Sequence, residues 1–147
     1  MHIYDAVVRP RYAETDQMGV VYHANYLVWF EVGRCEFLRA LGYSYRRLED
    51  DGVILPVIRS EVDYRHAARY DDDLRIRTRL TRLSGVRMEL RYQVIRMDGG
   101  SETILAEGMT AHAFVGSNLK PLRLRTANPE MWELLSNCLE GEEHEHA

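Results

Sequence analysis

The chain is poor in several things, and each shortage closes off a class of answer. Only Cys35 and Cys138 occur in 147 residues, too few and too scattered for a disulfide framework or a cysteine-bound metal, so both read as reduced thiols. No apolar run approaches the roughly 20 residues that span a bilayer. The opening MHIYDAVVRP also has no basic segment leading into an apolar stretch. The expectation is a cytoplasmic protein without membrane insertion. A basic surplus is missing as well: the formal charge is −4 and the pI is near 5.9. General nucleic-acid binders collect phosphates with a positive field, so nucleic acid is not an expected partner, and any anionic ligand must meet a local patch. There is no internal repeat, no H-E-x-x-H spacing for a metal and no G-x-S-x-G elbow for a serine nucleophile. No metal and no organic cofactor are expected.

What the chain does have is 46% hydrophobic residues, enough for the core of one domain. That domain is expected over residues 1–140, followed by an acidic, frayed tail over 141–147 whose two histidines read as solvated. The opening HIYDAVVRPRY alternates loosely, as a strand does. Asn25 to Gly42 reads as a helix of about 17 residues, roughly 25 Å long, with Asn25 as N-cap and Gly42 as its stop. On that helix Tyr26, Leu27, Phe30, Phe37, Leu38 and Leu41 share one face. Val28, Trp29, Val32 and Cys35 carry apolar character around most of the circumference, which predicts a helix wrapped by its surroundings.

YSYRRLEDDG reads as a short helical turn, after which the period changes to two. Ser60, Val62, Tyr64 and His66 oppose Arg59, Glu61, Asp63 and Arg65. Leu74, Ile76 and Leu80 oppose three arginines, and Met88, Leu90, Tyr92 and Val94 oppose Arg87, Glu89, Arg91 and Gln93, so each set marks a half-buried strand. MDGGSE is a hairpin turn. In the last strand, TILAEGMTAHAFVG, Ala106 and Gly108 leave room for another backbone. NPEMWELLSNCL is a final helix with Asn128 as cap and Pro129 in its first position. The fold class is α+β, a curved antiparallel sheet of about five strands around one long helix. The Arg/Glu face reads first as a solvated ladder of ion pairs, with oligomer contact or phosphate binding as the other readings.

The polar stretch RYAETDQMGVVYHANYLVWFE, Arg11 to Glu31, precedes the most hydrophobic helix. A helix N-terminus exposes unpaired N–H groups with partial positive charge, which can stabilise an oxyanion as a carbonyl becomes tetrahedral. Asp16 just ahead of it can attack a carbonyl or deprotonate water, and Gly19 lets the loop turn tightly. Each residue also has a plainer reading: Asp16 as a turn former, His23 as a packed loop residue, Tyr12 as a strand-end aromatic and Glu31 as an ion-pair partner for Arg34.

The ordered set Tyr12, Thr15-Asp16, Gly19, VYHANY from Val21 to Tyr26, Glu31 and Arg34 resembles the 4-hydroxybenzoyl-CoA thioesterase family, in particular its Tol-Pal-associated branch. DYRHAARYDDDLRIRTRL and EGMTAHAFVG also resemble family strands, so the likeness runs over about residues 3 to 125. It implies a hotdog fold with two subunits edge to edge, a homodimer at minimum and a tetramer beyond that, with acyl-CoA as substrate. It further implies Asp16 as catalytic carboxylate, the His23 amide as the donor polarising the carbonyl, and supporting roles for Tyr12 and the His23 side chain. Gly19, Tyr26, Glu31 and Arg87 would meet the substrate, Glu31 at the acyl end and Arg87 at the nucleotide phosphates. The reaction implied is hydrolysis of an acyl-CoA thioester. Two other classes stay open, an acyl-thioester dehydratase or hydratase, and a non-catalytic acyl-CoA or acyl-carrier-protein binding module.

Overall fold

Alternation of apolar and charged side chains along two arginine-rich segments builds the centre of the sheet. The computed structural model describes residues 2–139, and the expected tail lies outside them. Strands β1 (Ile3–Val8), β2 (Val57–Tyr64), β3 (Leu74–Leu83), β4 (Arg87–Asp98) and β5 (Ser101–Ala113) form one sheet in the order β1-β3-β4-β5-β2. Every pairing is antiparallel. Leu74, Ile76, Leu80, Met88, Leu90, Tyr92 and Val94 are buried, as their period of two requires. Gly99 and Gly100 both adopt positive φ, which a two-residue hairpin turn demands and glycine supplies without strain.

Helix α1 (Asn25–Ala40) buries Tyr26, Trp29, Phe30, Gly33, Phe37 and Leu38, packing on β1, β3 and β4. Phe30 and Phe37 are fully buried, and each such side chain contributes about 1.5–3 kcal/mol by leaving water. Phe30 stacks on Tyr92 with 4.4 Å between centroids. Gly33 brings helix and sheet close: an added Cβ there would lie 2.6 Å from Thr78 Oγ1. On the far side Leu27, Val28 and Val32 are exposed, so α1 is covered on one face and not wrapped within the protomer. One sheet can only cover one side.

Asn25 is not the N-cap. Ala24 occupies that position without a side-chain bond, and the Asn25 side-chain Nδ2 instead donates to the Glu14 carbonyl at 2.9 Å. Gly42, at φ +86°, does end the helix. Helices α2 (Tyr45–Asp50), α3 (Leu124–Ala127) and α4 (Pro129–Cys138) follow. Asn128 caps α4 by accepting from the Met131 amide at 3.1 Å, and α4 buries Met131, Leu135 and Cys138 beside β3. The helical layer is therefore α1 plus α4, not one long helix alone.

Strand β2 ends the sheet, and only Val62 along it is even partly buried. Its alternating sequence suggested a half-buried strand, but the edge position exposes both faces. Its approach to β5 is close at Gly108, where a Cβ would sit 2.5 Å from the Glu61 carbonyl oxygen and 2.5 Å from the Phe30 ring. On the outer face Arg77 bridges Asp5, with two bonds of 2.9 Å, and Glu102. Arg65 meets Glu107 at 2.8 Å, so the ladder reading of that face holds at these positions.

Candidate active site

The segment between β1 and α1 is held by one buried carboxylate. Glu14 closes a single 3₁₀ turn, Tyr12–Glu14, and its Oε1 accepts from the Arg11 amide at 2.9 Å and from Arg11 Nε at 3.3 Å. Its Oε2 accepts from the Trp29 indole N–H at 3.1 Å. The Glu14 carbonyl takes the Tyr22 amide at 2.8 Å as well as the Asn25 side chain. The loop is thus tied to the first turns of α1 at both ends.

Between those ties, Thr15 and Val21 pair as an isolated bridge. The Asp16 amide donates to Val20 and the Gly19 amide to Asp16, each at 3.0 Å. Gly19 has φ +77°, as this tight reversal requires. Asp16 Oδ1 accepts from the Met18 amide at 2.9 Å, so the plain turn-forming reading of Asp16 is correct as far as one oxygen goes. The described bonds give Oδ2 no partner.

Asp16 opens onto a cleft of about 270 Å³ that is also lined by Val20, His23, Tyr26, Tyr64 and His66. Tyr26 is buried, its hydroxyl accepts from the Ala68 amide at 3.3 Å, and burial raises its pKa. The amides of Asn25, Tyr26 and Leu27 bond to the carbonyls three residues back. Those of His23 and Ala24 have no acceptor among the described bonds. Free N–H groups at the start of a 16-residue helix carry the positive end of its dipole. Asp16 and His23 both line this cleft.

The other expected residues fall elsewhere. Gly19 shapes the loop without lining the cleft. Tyr12 stacks on Tyr70 at 3.9 Å between centroids and is exposed. Glu31 sits on the exposed face of α1, and no Glu31–Arg34 ion pair forms among the described residues. Arg34 is partly buried, and its charge lies near Tyr92 and His112. Arg87 begins β4 beside a separate small hollow with Ser84 and Glu89. Tyr64 and His66 were missed as site residues, since both read only as strand positions. Among the described residues no three His, Cys, Asp or Glu converge as a cation site, and no helix is long and apolar enough to cross a membrane.

A five-stranded antiparallel sheet with helices packed on it is the fold that this chain shares with solved hotdog-fold thioesterases. The profile of the thioesterase-like superfamily matches residues 10–132, and the chain belongs to that superfamily. YneP of Bacillus subtilis, named provisionally as an acyl-CoA thioesterase, is 34% identical over 131 residues, 88% of this chain and 93% of its own. The acyl-CoA thioester hydrolase YbgC of Escherichia coli is 35% identical over 91 residues, 62% of this chain and 68% of its own. The crystal structure of DHNA-CoA thioesterase from Staphylococcus aureus is 32% identical with a TM-score of 0.87, over 93% of this chain and 91% of that one. The likeness to 4-hydroxybenzoyl-CoA thioesterase itself is more distant: at 19% identity and a TM-score of 0.79 it extends to the fold alone.

Proposed function

We propose that the chain hydrolyses an acyl-CoA thioester to the free acid and coenzyme A, and that Asp16 and the start of α1 carry the reaction. The observation behind this reading is that Asp16 and His23, whose amide is bonded to no acceptor among the described bonds, line one cleft at the start of α1. A thioester carbonyl at the helix N-terminus would find donors for the oxygen that becomes negative, each worth on the order of 10²-fold to 10³-fold in rate. Asp16 Oδ2 would attack the carbonyl carbon to give a mixed anhydride, or take a proton from the attacking water. In either route the C–S bond breaks and coenzyme A leaves as its thiolate; in the first, water then hydrolyses the anhydride to release the acid and restore the Asp16 carboxylate. Tyr26 and His23 both line the site.

The ordered set Tyr12, Asp16 and His23 supports a place in the Tol-Pal-associated branch, in a cytoplasmic protein whose single domain covers residues 1–140. The cleft is smaller than the roughly 300–1,000 Å³ usual for ligand pockets, and β2 offers an unpaired edge beside it. Both facts support a second copy joined edge to edge that completes the site, with further pairing into a tetramer. Sedimentation should find the activity only in dimers or larger species; an active monomer would overturn this.

The test is thiol release from short, long and aromatic acyl-CoAs, with chelator present throughout. Wild-type protein should turn over at least one of them, and Asp16→Asn should lose on the order of 10²-fold or more while remaining folded. Equal rates from the two proteins would remove Asp16 from the mechanism.

A further inference from the structure

We infer that Asn25 is the positioning residue that aims the His23 amide. This rests on the hydrolytic reading of the cleft and adds to it the group that holds its donor. In a planar trans peptide a carbonyl oxygen and the N–H of the next residue point in opposite directions, so the His23 N–H is aimed by whatever holds the Tyr22 oxygen. That oxygen accepts from the Asn25 amide at 3.0 Å, its one partner among the described bonds. The Asn25 side chain reaches back 11 positions, where Nδ2 donates to the Glu14 carbonyl oxygen at 2.9 Å. The same oxygen takes the Tyr22 amide at 2.8 Å.

These three bonds close a ring across the turn from Tyr22 to Asn25, which contains His23. Tyr22 is pinned through its N–H to Glu14 and through its oxygen to Asn25, and Asn25 is pinned to the oxygen that Tyr22 already holds. Removing the Nδ2 bond opens the ring. The Glu14 carbonyl keeps the Tyr22 amide, but the residue that holds the Tyr22 oxygen loses its tie to the loop. Glu14 also stands just ahead of Thr15 and Asp16, so one carbonyl oxygen anchors both members of the pair, the carboxylate on the loop and the donor at the start of α1. Asn25 does not cap the helix, since Ala24 holds the N-cap position, and it does not line the cleft. Its effect on the reaction therefore passes through the residues that it holds.

Asn25→Leu keeps the bulk of the side chain and removes the donor, Asn25→Ala removes both, and both residues favour a helix more than asparagine does. The expected result for either variant is a kcat about 3-fold to 10-fold lower, the size of one hydrogen bond, with KM within about 2-fold. The order parameter of the His23 amide should fall, while those of the later turns of α1 stay at their wild-type values. Wild-type kcat in Asn25→Leu, or an unchanged His23 order parameter, overturns the proposal. So does a defect confined to Asn25→Ala, which would reduce Asn25 to packing. Should leucine not be accommodated, Asn25→Ala carries the same two readouts, and wild-type kcat there is equally fatal. The amide readout needs no turnover. If Asp16→Asn keeps the wild-type rate the hydrolytic assignment falls, yet the His23 order parameter still decides whether Asn25 holds the plane.

Discussion

Glu14 has no obvious signature in YAETD, yet its carboxylate ties the loop to α1, because its partner Trp29 lies 15 positions on and meets it only in three dimensions. Replacing a buried hydrogen-bonded carboxylate leaves its donors unsatisfied, at about 1–3 kcal/mol. Glu14→Ala is therefore expected to lower the urea midpoint by that amount and to shift Trp29 fluorescence as the indole N–H loses its acceptor. The turn-forming role of Asp16 was legible, since an Asp ahead of a helix often accepts from an amide two residues on, as it does here from Met18. The place of Tyr64 beside His23 was not, since nothing local joins its hydroxyl to a carbonyl 41 positions away. Arg34 was misread for a related reason: i,i+3 spacing made Glu31 its nearest candidate in sequence, whereas in the fold its charge lies near Tyr92 and His112. Spacing rules describe a helix standing alone and fail where a sheet packs beneath it.

The two central strands were the most legible parts of the sequence, because a half-buried strand writes its burial directly into a period of two. Edge strand β2 carried the same alternation without the burial, since periodicity records which face points inward and not what lies beyond the last neighbour. The small residues of β5 did point to close packing, and the packing can be tested. At Gly108 a methyl group would meet both the Glu61 carbonyl oxygen and the Phe30 ring at 2.5 Å, and a backbone atom yields little. Gly108→Ala is expected to destabilise the fold by about 1–3 kcal/mol, read as a lower denaturation midpoint at unchanged m-value. Alanine at Gly99 meets nothing within 4 Å, and its cost would come from the positive φ alone.

Across the whole molecule, stability against acid should depend on His112, buried between β5 and the segment entering β2. Its Nδ1 faces the Leu55 carbonyl at 3.1 Å, which can only accept, so Nδ1 carries the proton. Nε2 then accepts from the Thr110 hydroxyl at 2.8 Å, and Thr110 accepts from Tyr92 at 2.6 Å. Burial, aided by the nearby Arg34 charge, pushes the His112 pKa down to about 4. The unfolded chain takes up this proton near pH 6.5 and the folded chain only near pH 4. The contribution is therefore full above pH 6.5 and lost as the pH falls towards 4, about 3 kcal/mol in all. Urea midpoints at pH 7, 5.5 and 4 should fall more steeply for wild type than for His112→Asn; equal slopes would place the acid sensitivity in the carboxylates.

The strand order sets a timetable for synthesis. β3, β4 and β5 are sequential neighbours that can pair as they emerge, whereas Ile3 waits for Arg79 and Tyr64 waits for Ala106. While a ribosome is making the first half of the chain, β1, the Asp16 loop, α1 and β2 have no sheet to fold onto, so their apolar side chains stay open to other binders. Nascent chains stalled before β5 should remain protease-sensitive across β2, which pairs with β5, and those stalled after β5 has cleared the exit tunnel should not.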